Sequence, residues 1–297
     1  MILIEDLMYD IFIGLITSII VAIAGLIFPI IQYFRKRKRK KRITSFFGKN
    51  AEQAVISLPV FHAITNDRWD KGVRTSIMKK RILEENTKEM RMKEEELAVY
   101  HDKIDVGDYY GFEAVQSLFA KNDMTDVKFK SDEFLVEHGD FQNYPCIIMI
   151  GGPGSNQKIN EIIKFFPDAA KLFELEGAHD KTLYSWLMKI EIGGNQLKFS
   201  VDKHRAIGCI MRIPNPPQPQ NYLIGLFGDR SQSTLMICVF LRENIDKLNQ
   251  IAGDMPFIAL VGVTGPALNI TKLMHVSTDD RILYENRKEV EKFLVNN

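Results

Sequence analysis

Cysteine is scarce in this chain, three in 297 residues, and Cys146, Cys209 and Cys238 each lie in or beside an apolar stretch. A disulfide scaffold is excluded, and small apolar thiols in such settings read as buried and reduced. The six histidines, His62, His101, His138, His179, His204 and His275, never stand three or four residues apart, so no helix carries a two-histidine metal site. His101-Asp102 and His179-Asp180 resemble the ligand pairs of metal phosphohydrolases, but two such dipeptides arise easily by chance. Gly-x-x-x-x-Gly-Lys-Ser/Thr is missing, which disfavours P-loop ATP hydrolysis, and so is Gly-x-Ser-x-Gly, which disfavours a serine hydrolase.

One stretch lacks charge altogether. From Ile11 to Phe34, 24 residues carry no charged side chain, and most are Ile, Leu, Phe, Ala or Val. As a helix that run is about 36 Å long, enough to cross a hydrocarbon core of ~30 Å with some tilt. Glu5, Asp6 and Asp10 precede it and Arg35 to Arg42 (RKRKRKKR) follows, the reverse of the order in a signal peptide. A core helix rarely stays uncharged for so long. The run therefore reads as one transmembrane helix, with the basic block held in the cytosol, the N-terminus outside and the rest of the chain inside.

The same block suits anionic lipid headgroups. Nucleic acid is the weaker reading, because eight positive charges in the block and a net charge of only +1 leave the remainder of the chain acidic. Gly14, Thr17, Ser18 and Gly25 are small enough to let helices approach, yet they form no clean Gly-x-x-x-Gly. Homo-oligomerisation through the span stays open.

Length then suggests residues 1–50 as a transmembrane helix and juxtamembrane segment, closed by a short linker at Ser45 to Asn50, and residues 51–297 as one cytosolic α/β domain. Ala54 to Val60, Tyr144 to Ile150, Tyr222 to Phe227 and Phe257 to Val263 are short and apolar on both faces, the pattern of strands in one largely parallel sheet. Val127 to Lys130 and Leu273 to Val276 read as further strands. Helices are expected behind Gly111, over Ile159 to Phe166, from Leu235 to Ile251 and from Arg287 to Val295. Thr75 to Lys103 is crowded with Lys, Arg and Glu and reads as a solvated helix or helix pair. Leu183 to Ile213 alternates as an antiparallel insertion with a hairpin at Gly193-Gly194-Asn195, and Pro214 to Pro219 reads as a stiff, extended connector.

Ligands of open α/β sheets sit outside the carboxyl ends of the strands, where helix N-termini offer unpaired N–H groups to anions. Three turns qualify. Gly151, Gly152 and Gly154 let backbone approach a ligand, with Ser155 and Asn156 beside them. Gly228, Asp229, Ser231, Ser233 and Thr234 form the second turn, and Thr264 with Gly265 the third. Each is equally well explained as a tight, well-capped strand-to-helix turn. Gln157 stands where a dinucleotide fingerprint wants Gly or Ala, so ordinary NAD binding is disfavoured and no cofactor is named. Asp229 and Glu113 are the carboxylates best placed for acid–base work, though as capping residues they need no catalytic role.

A single span followed by a domain with the turns IGGPGSN and GLFGDRSQST resembles the Rossmannoid nucleotide-sensor domains, of the SLOG and CARF kind, of bacterial conflict and stress systems. The likeness is of plan, over residues 52–280. It implies a Rossmann-like sheet, a nucleotide-like ligand and a membrane segment as anchor or effector. Against this sensor stand two other readings, a membrane-tethered enzyme acting on a nucleoside or sugar phosphate and a protein-binding adaptor.

Overall fold

The computed structural model describes residues 2–59, 61–65, 99–103, 105–131, 135, 143–152, 174–180, 185–192, 195–278 and 281–294. Helix α1 runs unbroken from Ile2 to Phe47, through Pro29 and the whole basic block. Its apolar part is exposed, with Leu26 at 72% and Val21 at 64%, and it is long and apolar enough to cross a membrane. The linker expected at Ser45 to Asn50 is instead the last turn of α1 and a sharp bend. Ile43, Phe46 and Phe47 are fully buried, and hydrophobic side chains three and four apart form a stripe that keeps the helix going until it meets the core. Gly48 ends it with φ of +99°, where a Cβ would stand 2.4 Å from Asn221 Cα, so only glycine makes this bend.

The strands are β1 (Val55–Leu58), β2 (Phe61–Thr65), β3 (Val99–Lys103), β4 (Lys128–Ser131), β5 (Ile147–Ile150), β6 (Glu174–Asp180), β7 (Ser185–Ile192), β8 (Asn195–Val201), β9 (Arg205–Asn215), β10 (Gln218–Gly228), β11 (Phe257–Thr264), β12 (Ile270–Ser277) and β13 (Ile282–Glu285). Among the described residues the further α-helices are α2 (Val106–Ala120), α3 (Ser231–Ala252) and α4 (Arg287–Glu291). Eight strands form one mixed sheet in the order β13-β12-β11-β9-β10-β5-β1-β4. From β10 to β4 every pairing is parallel, and from β13 to β10 every pairing is antiparallel. The four apolar runs do share this sheet and point the same way, but the sheet is only half parallel because β9 lies between β10 and β11.

Proline explains that difference. The stiff connector expected at Pro214 to Pro219 is the tip of the β9–β10 hairpin, with Asn215 opposite Gln218 and a register shift before Tyr222. Pro216 and Pro217 occupy the turn, where no ladder N–H is needed. A two-residue connection forces an antiparallel pair, so the segment ending at Ile213, expected in the insertion, enters the centre of the main sheet. The insertion shrinks to a three-stranded antiparallel sheet, β6-β7-β8, whose hairpin pairs Ile192 with Asn195. Val99 to Lys103 pairs with β2 as a strand where a helix end was expected. The rest of the stretch expected to be helical before it, the helix expected over Ile159 to Phe166 and the glycines at 193 and 194 fall outside the described residues.

Both faces of the sheet are covered, which is why its strands read as continuous apolar runs. One face packs on α2, α3 and the end of α1, through Ile56, Ile148, Ile224 and Ala259 against Phe47, Leu118, Phe119 and Ile237. The other buries Ile147, Cys209, Met211 and Leu260 with Phe199 and Phe293.

Candidate functional site

The glycine turns after β5 and β10 are neighbours, because the two strands pair in parallel from Ile147–Leu223 to Ile150–Leu226. The Gly151 amide donates to the Leu226 carbonyl at 3.1 Å, and Gly151 adopts φ of +99°. Gly152 is the roomier position: a Cβ there would meet nothing nearer than the Gly228 carbonyl at 3.8 Å. Gly154, Ser155 and Asn156 lie outside the described residues.

The second turn spends its polar groups on itself. The Gly228 amide donates to Thr234 Oγ1 at 3.1 Å, and the Arg230 amide donates to Ser233 Oγ at 3.0 Å. Asp229 accepts from Ser233 Oγ at 2.7 Å and from Arg230 Nε and Nη2 at 2.9 and 2.7 Å. Its carboxylate is 1% exposed, and burial pushes its pKa up against the opposing pull of Arg230 and Ser233. Gly228 is glycine for packing, since a Cβ would lie 2.1 Å from Ser233 Oγ and 2.7 Å from the Thr234 amide. Two helices begin together here: a Cβ on Gly107, in the first turn of α2, would come 2.3 Å from the Ser231 carbonyl. Gly111, expected at a helix start, sits inside α2 against Cys238 Sγ.

The third turn stands apart. Thr264 pairs with Arg205 of β9, whereas Gly228 pairs with Gly208, and β9 separates β10 from β11. Two strand spacings of ~4.8 Å and three residues of ~3.3 Å put Thr264 more than about 12 Å from Gly228. Gly265, with φ of +100°, turns the chain from β11 into β12. The fold therefore brings together Gly151, Gly152, Gly228, Asp229, Ser231, Ser233 and Thr234, and leaves Thr264 and Gly265 outside their reach. Glu113 is exposed on α2 and hydrogen-bonds Tyr109, whose hydroxyl pKa it raises.

At the opposite, amino edge of the sheet lies chemistry that motif reading passed over. Arg212, toward the end of β9, is fully buried with its guanidinium 4.7 to 5.3 Å from the ring centroids of Phe257, Tyr222 and Phe46. Its Nη2 donates to the Gly253 and Met255 carbonyls just past α3, at 2.5 and 2.6 Å. Burial pushes its pKa down to about 10. An arginine inside an apolar strand was the one available signal.

The basic block docks beside it. Arg42 pairs with Asp246 at 2.9 Å, Lys40 with Glu52 at 2.9 Å and Arg39 with Asp123 at 3.5 Å, while Asn249 donates to the Arg42 carbonyl. Two cavities open along the block. One, of about 690 Å³, lies between α1 and the ends of α2 and α3; the other, of about 600 Å³, lies between α1 and the starts of β1 and β4. Among the described residues, no cluster of three or more His, Cys, Asp or Glu side chains stands ready for a metal. No family model matches the chain, and neither a curated protein nor a solved structure is similar to it.

Proposed function

We propose that the chain is a single-pass membrane protein whose Rossmann-like cytosolic domain senses a nucleotide-like or other phosphate-bearing small molecule. Residues 11–34 are the span, the acidic N-terminus lies outside, and the basic block holds the domain in the cytosol. The observation that carries this reading is the continuity of α1. The helix passes from its exposed apolar part through the basic block to Phe46 and Phe47 in the core without a break. A span built into the core in this way follows any movement of the sheet.

The ligand position is the edge shared by β5 and β10, where Gly151 and Gly152 meet Gly228 and the first turn of α3. From Tyr222, near α1, to Gly228 the strand runs about 20 Å, so ligand and membrane act on opposite ends of one rigid sheet. The enzyme reading is weaker, because Asp229 is engaged on all sides and Glu113 faces solvent. The self-paired turn at Gly228 to Thr234 favours, as second reading, an adaptor whose glycine turns are structural.

Thermal shift of the full chain in detergent against a panel of nucleotides and sugar phosphates separates them. The sensor reading expects at least one phosphate-bearing compound to raise Tm, and Gly152→Val to abolish that rise with little change in the ligand-free Tm. No shift with any compound hands the domain to the adaptor reading.

A further inference from the structure

The larger cavity on the basic block is distinct from the ligand edge proposed above and lies at the other end of the sheet. Six cations line it, Arg35, Lys38, Arg39, Lys41, Arg42 and Lys121, against a single carboxylate, Asp246. Asp246 is taken by Arg42 at 2.9 Å, and Arg39 reaches Asp123 at 3.5 Å. Arg35, Lys38, Lys41 and Lys121 have no carboxylate partner among the described residues. Unpaired like charges around one concavity repel one another, and an anion within it relieves that repulsion.

The ends of α2 and α3 bring carbonyl groups toward this region, which works against an anion. Those carbonyls are partly neutralised by donors: Asn122 Nδ2 takes the Leu118 carbonyl, and Arg212 takes those of Gly253 and Met255. Position decides where the anion comes from. Arg35 directly follows Phe34, and the wall from Arg35 to Arg42 reaches only about 12 Å past the apolar run at ~1.5 Å per residue. The polar headgroup layer of a bilayer occupies about 5–8 Å on each side, so the cavity opens into it.

We infer that this cavity binds the phosphate headgroup of an anionic membrane lipid, with Arg35 and Lys38 on the bilayer side, Lys41 farther along α1 and Lys121 facing them from the end of α2. The inference rests on residues 11–34 being a span.

The test uses the full chain in nanodiscs of mixed phosphatidylglycerol and phosphatidylcholine, released and weighed by native mass spectrometry. Retained lipid should favour phosphatidylglycerol by about fivefold or more, and the double variant Lys38→Gln/Lys121→Gln should bring retention close to parity. Lys49→Gln, exposed but outside the cavity, should behave as the parent chain. Parity in the parent, or an unchanged preference in the double variant, overturns the site. A second arm follows acylation of Lys121 by an amine reagent. Phosphatidylglycerol should slow it, and inorganic phosphate in pure phosphatidylcholine discs should not; equal protection by phosphate makes the anion soluble and overturns the lipid assignment. Carbonate extraction of membranes reads the span separately. A chain released as soluble protein sinks the membrane reading, whereas an integral chain without lipid preference sinks only the headgroup site.

Discussion

Two glycines that look alike in sequence have opposite duties. Gly228 stands against Ser233 and the Thr234 amide, so Gly228→Ala should cost about 2–3 kcal/mol through overpacking at the start of α3. Gly152 has room, and Gly152→Ala should change stability by less than about 0.5 kcal/mol, both read by urea unfolding. Similar losses in the two variants would mean that the β5 turn is as tightly packed as the β10 turn. His275 gives the chain a pH response. It is 2% exposed, and burial pushes its pKa down while Glu285 pulls the other way. Protons then bind the unfolded imidazole, with a pKa of about 6.5, more tightly than the folded one. Stability is full above that value and falls as pH drops below it. His275→Gln should flatten this slope in unfolding midpoints measured across the acid limb; an unchanged slope would assign it to other groups.

At the scale of elements, α1 carries the account. Its apolar run and basic block were legible because charge and hydropathy are local properties of sequence. Its last turn was not, since nothing in Ile43, Phe46 and Phe47 taken alone distinguishes a linker from a core anchor until the sheet supplies Phe257 and Arg212, and α2 supplies Phe119, as neighbours. Phe46→Ala removes one buried ring and one wall of the Arg212 cage, and should destabilise the domain by about 3–5 kcal/mol. Ile23→Ala, on the exposed apolar part, should leave the domain's melting unchanged. No loss from Phe46→Ala would place the end of α1 outside the cooperative unit, and an equal loss from Ile23→Ala would bring the exposed apolar part into it. The β9–β10 hairpin teaches a related lesson. Clustered prolines suggest an extended connector, yet prolines also collect where a ladder has no N–H to supply, and only the pairing of Asn215 with Gln218 separates the two cases.

Across the whole molecule, the mixed α/β class and four strands of the central sheet could be read from apolar runs, while strand order could not, because β9, antiparallel to both β10 and β11, is as apolar as they are. Of the proposed site, the adjacency of Gly151, Gly152 and Gly228 follows from the pairing of β5 with β10. The separation of Thr264 follows from the insertion of β9, which no local pattern announces. The basic block was legible as charge and not as a cavity wall, since Lys121 and Asn249 come from distant helices. What joins these parts is the claim that span and sheet move as one body. Cys146, Cys209 and Cys238 are buried, with burial pushing their thiol pKa values up, so cysteines introduced at the surface can be spin-labelled selectively. With labels on Lys36→Cys in α1 and Glu243→Cys in α3, the full chain in nanodiscs should give one narrow distance distribution in a pulsed dipolar measurement. A broad or multiple distribution would mean that α1 swings freely from the domain, and would contradict the coupling on which the sensor reading depends.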